Sequence, residues 1–212
     1  MTITNGYSDL TSLKAAIGIS DTTDDTVLEA AVEAASRQID AFVGKGRKFW
    51  QDGTVVARYY YPMCSHECWT DDISTATGLV VKLDNDGDGT FETTLTINTD
   101  FITWPRNAAA EYPVRPWQAI RLLTGSSALF AQTVNNLPTV EVTAKFGWAA
   151  VPRAVERACV MQARAIFKAP DTTFGVFAAG LDGQARNIPA LDPVARALLE
   201  DFVRWDQVDD GA

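Results

Sequence analysis

The sequence predicts an α+β fold: a helical bundle, made of an N-terminal αα-hairpin and long central and C-terminal helices, with an inserted antiparallel β region. Three observations predict it. Apolar residues recur at helical spacing through residues 8–43. After Arg47 the period changes to alternation, and the helical period returns in Phe146–Ala169 and again from Asp192. Residues 1–46 and 149–212 are therefore assigned to the bundle, with a docking segment at its C-terminal end, and residues 47–148 to the β-rich insertion.

The first helix is short. Ser8 or Asp9 can cap it, Leu10, Leu13 and Ile17 lie at helical spacing, and Gly18 ends it. After the acidic turn SDTTDD, a second helix runs from about Asp24 to Val43 and stops at Gly44. Leu28, Ala31, Ala35, Ile39 and Phe42 make its buried stripe, and its alanines allow close helix–helix approach. In the insertion, Phe49–Trp50, VVARYYYP (55–62), LVVKL (79–83), TTLTI (93–97), AIRLL (119–123) and TVEVTAKFGW (139–148) read as strands. The glycine-bearing stretch DNDGDGTF makes a hairpin turn between the third and fourth of these. The proline-rich stretch FITWPRNAAAEYPVRPW reads as an extended surface loop.

Phe146–Ala169 organises the chain. Gly147 and Trp148 close the β-rich region, and Pro152 stands where a first helical turn needs no N–H donor. At about 100° per residue, Val151, Val155, Ala158, Cys159, Gln162 and Ile166 share one face. Arg153, Arg157, Arg164 and Lys168 share another, within roughly 60° of arc. This basic stripe reads either as a solvated helix face or as a charged seam against another, acidic chain. Residues 171–191 are irregular yet carry Phe174, Val176, Phe177, Leu181 and Ile188, a composition suited to a partner surface. Asp192 and Pro193 begin the final helix, with Val194, Ala197, Leu198, Phe202 and Trp205 on one side.

Composition narrows the function. A hydrophobic fraction of 47% with 21% charged residues is ordinary for a globular protein, and no run reaches the ~20 apolar residues of a membrane span. The start of the chain lacks the basic and apolar regions of a secretory signal, so a cytoplasmic origin is expected. A net charge of −9 argues against wrapping duplex DNA, which needs a concentrated basic surface. Three cysteines are too few for a disulfide framework and suit a reducing compartment.

Two clusters invite a metal reading. Asp84, Asp86, Asp88 and Gly89 match the opening of a calcium loop, but the twelfth position is Leu95 rather than a bidentate Glu, so a polar hairpin turn is the better explanation. Cys64, His66 and Cys68 would share one face of an extended chain, with Asp71 or Asp72 to complete a zinc site. No second element of a zinc pattern exists, and His66 is the chain's one histidine, which removes most general-base options. No nucleophile elbow, P-loop or dinucleotide fingerprint occurs. The chain is therefore expected to be no enzyme and to use no cofactor.

Several stretches in order resemble the phage head–tail connector (adaptor, or head-completion) family. They are SDLTSLKAAIGI, DTTDDTVLEAAVEAASRQIDAFVGKGRKFW, DDISTATGLVV, DNDGDGTFETTL, WPRNA, FGWAAVPRAVERACVMQARAIFK and NIPALDPVARALLEDFVR, and together they cover about residues 8–205. The resemblance implies a structural virion protein at the head–tail junction, made in the host cytoplasm. It implies a ring of twelve copies beneath the portal protein, followed by a stopper or tail-completion protein. DNA would pass through that ring without sequence-specific binding, and an acidic lumen would repel its backbone. On this reading the residues facing partners are Arg153, Arg157, Arg164, Lys168, Phe174, Phe177, Leu181, Ile188, Phe202 and Trp205. The reading from another class is a monomeric calcium- or zinc-binding enzyme or sensor built on Asp84–Asp88 or on Cys64, His66 and Cys68.

Overall fold

Helix α1 (Leu10–Ile17) begins at Asp9, whose carboxylate accepts the Ser12 N–H at 2.7 Å, so Asp9 rather than Ser8 is the cap. It ends at Gly18, which takes a left-handed φ of 77° and returns its N–H to the Lys14 carbonyl. Helix α2 (Asp25–Val43) buries Leu28, Ala31, Val32, Ala35, Ser36, Ile39 and Val43. Phe42, expected in that stripe, is only half-buried and lies beneath the Arg196 guanidinium at 5.6 Å. The computed structural model describes residues 3–44, 47–131, 137–168, 176–179, 185–187 and 191–203, with 176–179 and 185–187 described at the backbone.

Two compact units divide the chain: 1–47 with 151–212, and 48–150. The fold is mixed α+β, with four α-helices, two small antiparallel sheets and a separate two-stranded antiparallel pair among the described residues. In the first unit, helix α3 (Arg153–Lys168) packs against α1, α2 and α4 (Pro193–Leu199). Its seam of Val155, Ala158, Cys159, Val160, Gln162 and Ala163 is buried. The polar members of that seam are satisfied. Gln162 donates to the Gln38 side-chain oxygen at 2.6 Å and accepts the Asp192 N–H at 2.8 Å, tying α2 to the start of α4. Ser36 accepts the Tyr7 N–H at 3.0 Å, donates to the Val32 carbonyl, and touches the Cys159 sulfur at 3.5 Å. Burial raises the pKa of the Cys159 thiol.

The long C-terminal helix read from the sequence is shorter in the structure. Seven residues of α4 are followed by a single 3-10 turn, Glu200–Phe202. Its inward face is Ala195, Leu199 and Phe202, whereas Val194 and Ala197 are exposed and Leu198 is half-buried. Ala195, Leu199 and Phe202 lie at i, i+4 and i+7, so the buried stripe runs through them and not through Val194, Ala197 and Leu198. Residues 171–191, read as irregular, contain the paired strands β8 (Val176–Ala179) and β9 (Ala185–Asn187).

The second unit joins side chains of two sheets in one core. Strand β1 (Val56–Tyr60) lies at one edge of the first sheet, beside β7 (Val140–Ala144), β3 (Val80–Leu83) and β4 (Thr93–Leu95) in that order. The second sheet runs β2 (Glu67–Ile73), β6 (Trp117–Leu122), β5 (Phe101–Trp104), and neighbours in both sheets are antiparallel. Strands β2 and β5 escaped the sequence reading. The first hides carboxylates among its alternating residues, and the second opens the stretch taken for a proline-rich loop. Phe49 and Trp50, read as a strand, form a bend instead. That bend meets the far end of the unit at Gly147, which has φ 102°. A Cβ there would stand 1.8 Å from the Trp50 carbonyl oxygen. Beside it Trp148 packs on Phe49 at 5.2 Å between ring centroids and donates its indole N–H to the buried Asp72 at 3.0 Å.

Two substitutions test this closure. Gly147→Ala adds positive-φ strain to a backbone clash and should cost on the order of 3 kcal/mol. Trp148→Ala removes a buried ring and one hydrogen bond to the Asp72 carboxylate, for a cost of about 3–5 kcal/mol. Denaturant unfolding reads both, and a variant that unfolds at the wild-type midpoint would refute the closure.

Candidate interaction surface and acidic turn

The four cations of the predicted stripe lie together on the exposed side of α3. Arg153, Arg157, Arg164 and Lys168 are all exposed, and among the described residues none of them is ion-paired. The helix separates them from its buried seam by its 3.6-residue period alone. Between α1 and α3 lies an open groove of about 470 Å³, lined by Ser12, Ala15, Ala16, Arg153, Glu156, Arg157 and Val160. The small side chains of α1 leave the space, and on the α3 wall two arginines outnumber one glutamate, so its formal charge is positive.

The remaining partner-facing candidates fall differently. Phe202 is buried within its own unit, and its carbonyl accepts a hydrogen bond from the Arg47 guanidinium, so its ring is used inside the chain. This corrects its assignment to a partner. Phe177 lies in β8, described at the backbone alone, while Phe174, Leu181, Ile188 and Trp205 lie outside the described residues.

Asp84, Asp86 and Asp88 do converge, and they bring Glu92 with them. The ligand-type oxygens of the four all lie within 4.8 Å of one another. Asp84 is buried and serves the backbone: one oxygen accepts the Gly87 N–H at 2.6 Å and the other the Gly89 N–H at 2.9 Å. Burial pushes its carboxyl up, but the backbone N–H groups of Gly89, Gly87, Asp86 and Asp88 outweigh that and hold its pKa below the ordinary value. Asp88 accepts the Thr90 N–H at 2.7 Å, and Asn85 donates to the Thr93 hydroxyl at 2.7 Å. These are the bonds of a tight turn between β3 and β4, with exposed carboxylates on Asp86, Asp88 and Glu92. Sequence reasoning missed Glu92 because it counted along a helix-flanked loop, whereas a hairpin folds position 92 back beside position 84.

The zinc reading does not survive the geometry. Residues 63–67 turn back on themselves, with the Met63 and Cys64 N–H groups both directed to the Glu67 carbonyl at 3.0 and 3.2 Å. Cys64 is exposed and Cys68 buried, so the shared face of an extended chain is absent. Burial pushes the Cys68 thiol up to about 12, away from the thiolate a metal requires. The carboxylates expected to complete the site are occupied elsewhere. Asp71 pairs with Arg58 at 2.6 Å and accepts the Tyr60 hydroxyl at 3.0 Å, and Asp72 holds Trp148. The Arg58 guanidinium also lies 4.2 Å from the Phe146 ring centre, a clamp that no sequence signal marked.

No family model and no curated protein matches the sequence. The fold, however, is similar to chains of three solved structures. They are the neck of an empty GTA particle computed with C6 symmetry (16% identity, TM-score 0.53) and the neck of a native GTA particle computed with C12 symmetry (13%, 0.53). The third is the virion of a native gene transfer agent (GTA) particle (16%, 0.51). Each alignment covers 96% of this chain and 92% of the other. At such identities the likeness is one of fold.

The turn makes a pH prediction with a definite sign. Asp84 is held below its ordinary value of 3.8 in the fold. Its contribution is therefore complete above that value and is lost as the pH falls through it toward the lower folded value. Asp84→Asn should lower the melting temperature at neutral pH and flatten its decline in acid. Asp86→Asn with Asp88→Asn should leave the neutral melting temperature unchanged, with or without a calcium chelator. A chelator-sensitive drop of several degrees in the wild type would make the turn a cation site instead.

Proposed function

We propose that this chain is a structural subunit of the neck of a phage-like particle, a head–tail connector rather than an enzyme. The observation that carries the reading is the fold likeness to neck chains over nearly the whole length of both partners. A fold shared only through a common substructure would leave large parts of one chain unmatched; here helices and β insertion are matched together. The order of motifs along the sequence supports the same reading independently of the coordinates.

On this reading the subunits form a closed ring, of twelve copies by analogy with the C12 neck, between the portal protein and a stopper or tail-completion protein. DNA crosses the ring without being read, in keeping with a net charge of −9. The exposed cations of α3 and the apolar residues among 171–191 are the faces offered to neighbours. A calcium-dependent sensor or enzyme remains the rival reading. It draws on the four gathered carboxylates, of which Asp84 already has both oxygens engaged by the backbone.

Deleting the coding sequence from a particle-producing genome should leave filled heads and finished tails unjoined, with junctions restored by the gene supplied in trans. Averaged images of the restored junction should place the chain in a ring at the neck. Particles that join head to tail at normal yield without this chain would overturn the proposal.

A further inference from the structure

Two clusters of exposed charge without ion pairs among the described residues have opposite signs. Lys14, Arg37, Lys48, Arg58, Lys82, Arg115 and Arg121 are each paired with a carboxylate of the same chain. Arg153, Arg157, Arg164 and Lys168 are not, although acidic residues outnumber basic ones by 27 to 18. At the other pole, Asp86, Asp88 and Glu92 hold exposed carboxylates within 4.8 Å of one another and form no ion pair among the described residues. Three like charges at that spacing repel, and an incoming cation relieves them.

We propose that the α1–α3 groove of one copy receives the acidic β3–β4 turn of a second copy. The proposal rests on the neck reading above, because a closed cyclic ring needs two different, complementary faces on every subunit. The groove supplies one face. Ser12, Ala15 and Ala16 leave room for a narrow turn, and on its wall Arg153 and Arg157 outnumber the one acidic residue, Glu156. The turn supplies the other. Asp84 anchors it through the Gly87 and Gly89 N–H groups, so its exposed carboxylates are pre-organised and lose little freedom on docking. One groove and one turn per subunit give a head-to-tail contact that repeats around the ring. A phosphate backbone could also meet the stripe, but the small-residue groove and the chain's own acidic turn favour a second copy.

Sedimentation of the full chain over a concentration series, at low and high salt, tests this. The wild type should self-associate at low salt and dissociate as salt rises. Arg153→Glu with Arg157→Glu should weaken association at least about a hundredfold, as should Asp86→Lys with Asp88→Lys. A one-to-one mixture of the two double variants should associate again, because the reversed groove of one fits the reversed turn of the other. Misfolding would not be rescued by mixing, so recovery separates charge pairing from damage.

The proposal is overturned by a wild type that stays monomeric throughout, by variants that associate like the wild type, or by a mixture that fails to recover. It is also overturned if the arginine variant loses affinity for duplex DNA while its self-association is unchanged. Particle images keep the two readings apart. A ring that contains the chain but ignores these charges sinks the groove assignment alone, whereas a neck without the chain sinks the neck reading itself.

Discussion

The closest constraint in the β unit is the approach of Gly147 to the Trp50 carbonyl. A segment of about a hundred residues placed between two helices must bring its beginning and end together, and this contact does so. The Asp52 N–H reaches the Phe146 carbonyl at 2.9 Å, and the Gly147 N–H reaches that of Asp72 at 2.7 Å. Only a residue without Cβ fits there, at a backbone angle other residues rarely adopt. With the ends joined, Trp148 closes over Phe49 and its indole N–H donates to the buried Asp72 carboxylate. Asp72 faces inward and Asp71 pairs with Arg58 in the stretch between Trp69 and Ile73 where the β2–β6 pairing shifts register.

The helical unit solves a similar problem with polar side chains rather than with a glycine. Gln162 sits on the buried seam of α3, where an apolar residue would pack equally well. Its amide instead bonds to α2 on one side and to the backbone before α4 on the other. Asp192 then caps α4 through the Val194 and Ala195 N–H groups at 2.8 and 3.1 Å. A seven-residue helix has little stability of its own, so its placement depends on this cap and on Leu199 and Phe202 beneath it.

Charge is distributed with the same division of labour. Seven cations pair with carboxylates of the same chain among the described residues, including Arg121 with Glu67, and the Arg121 guanidinium also lies 3.8 Å from the Trp104 ring centre. The four cations of α3 and the exposed carboxylates of the β3–β4 turn form no ion pair among the described residues.

The sequence by itself determined the fold class, the three longer helices and most of the first sheet. Periodicity, caps and turn glycines are local signals, and Asp9, Gly18 and the alternation of Val140, Val142 and Ala144 could be read without knowing any neighbour. It also located the basic stripe of α3, because four cations on one arc follow from the helical period. What it could not supply was whatever depends on distant partners. Strand β2 is a strand because β6 pairs with it and because Asp72 meets Trp148, a residue 76 positions away. The recruitment of Glu92 to the acidic turn and the separation of Cys64 from Cys68 likewise arise from chain reversal. Only the tertiary structure decided these, since the energy of burying or pairing a side chain depends on which neighbour arrives and not on its own spacing.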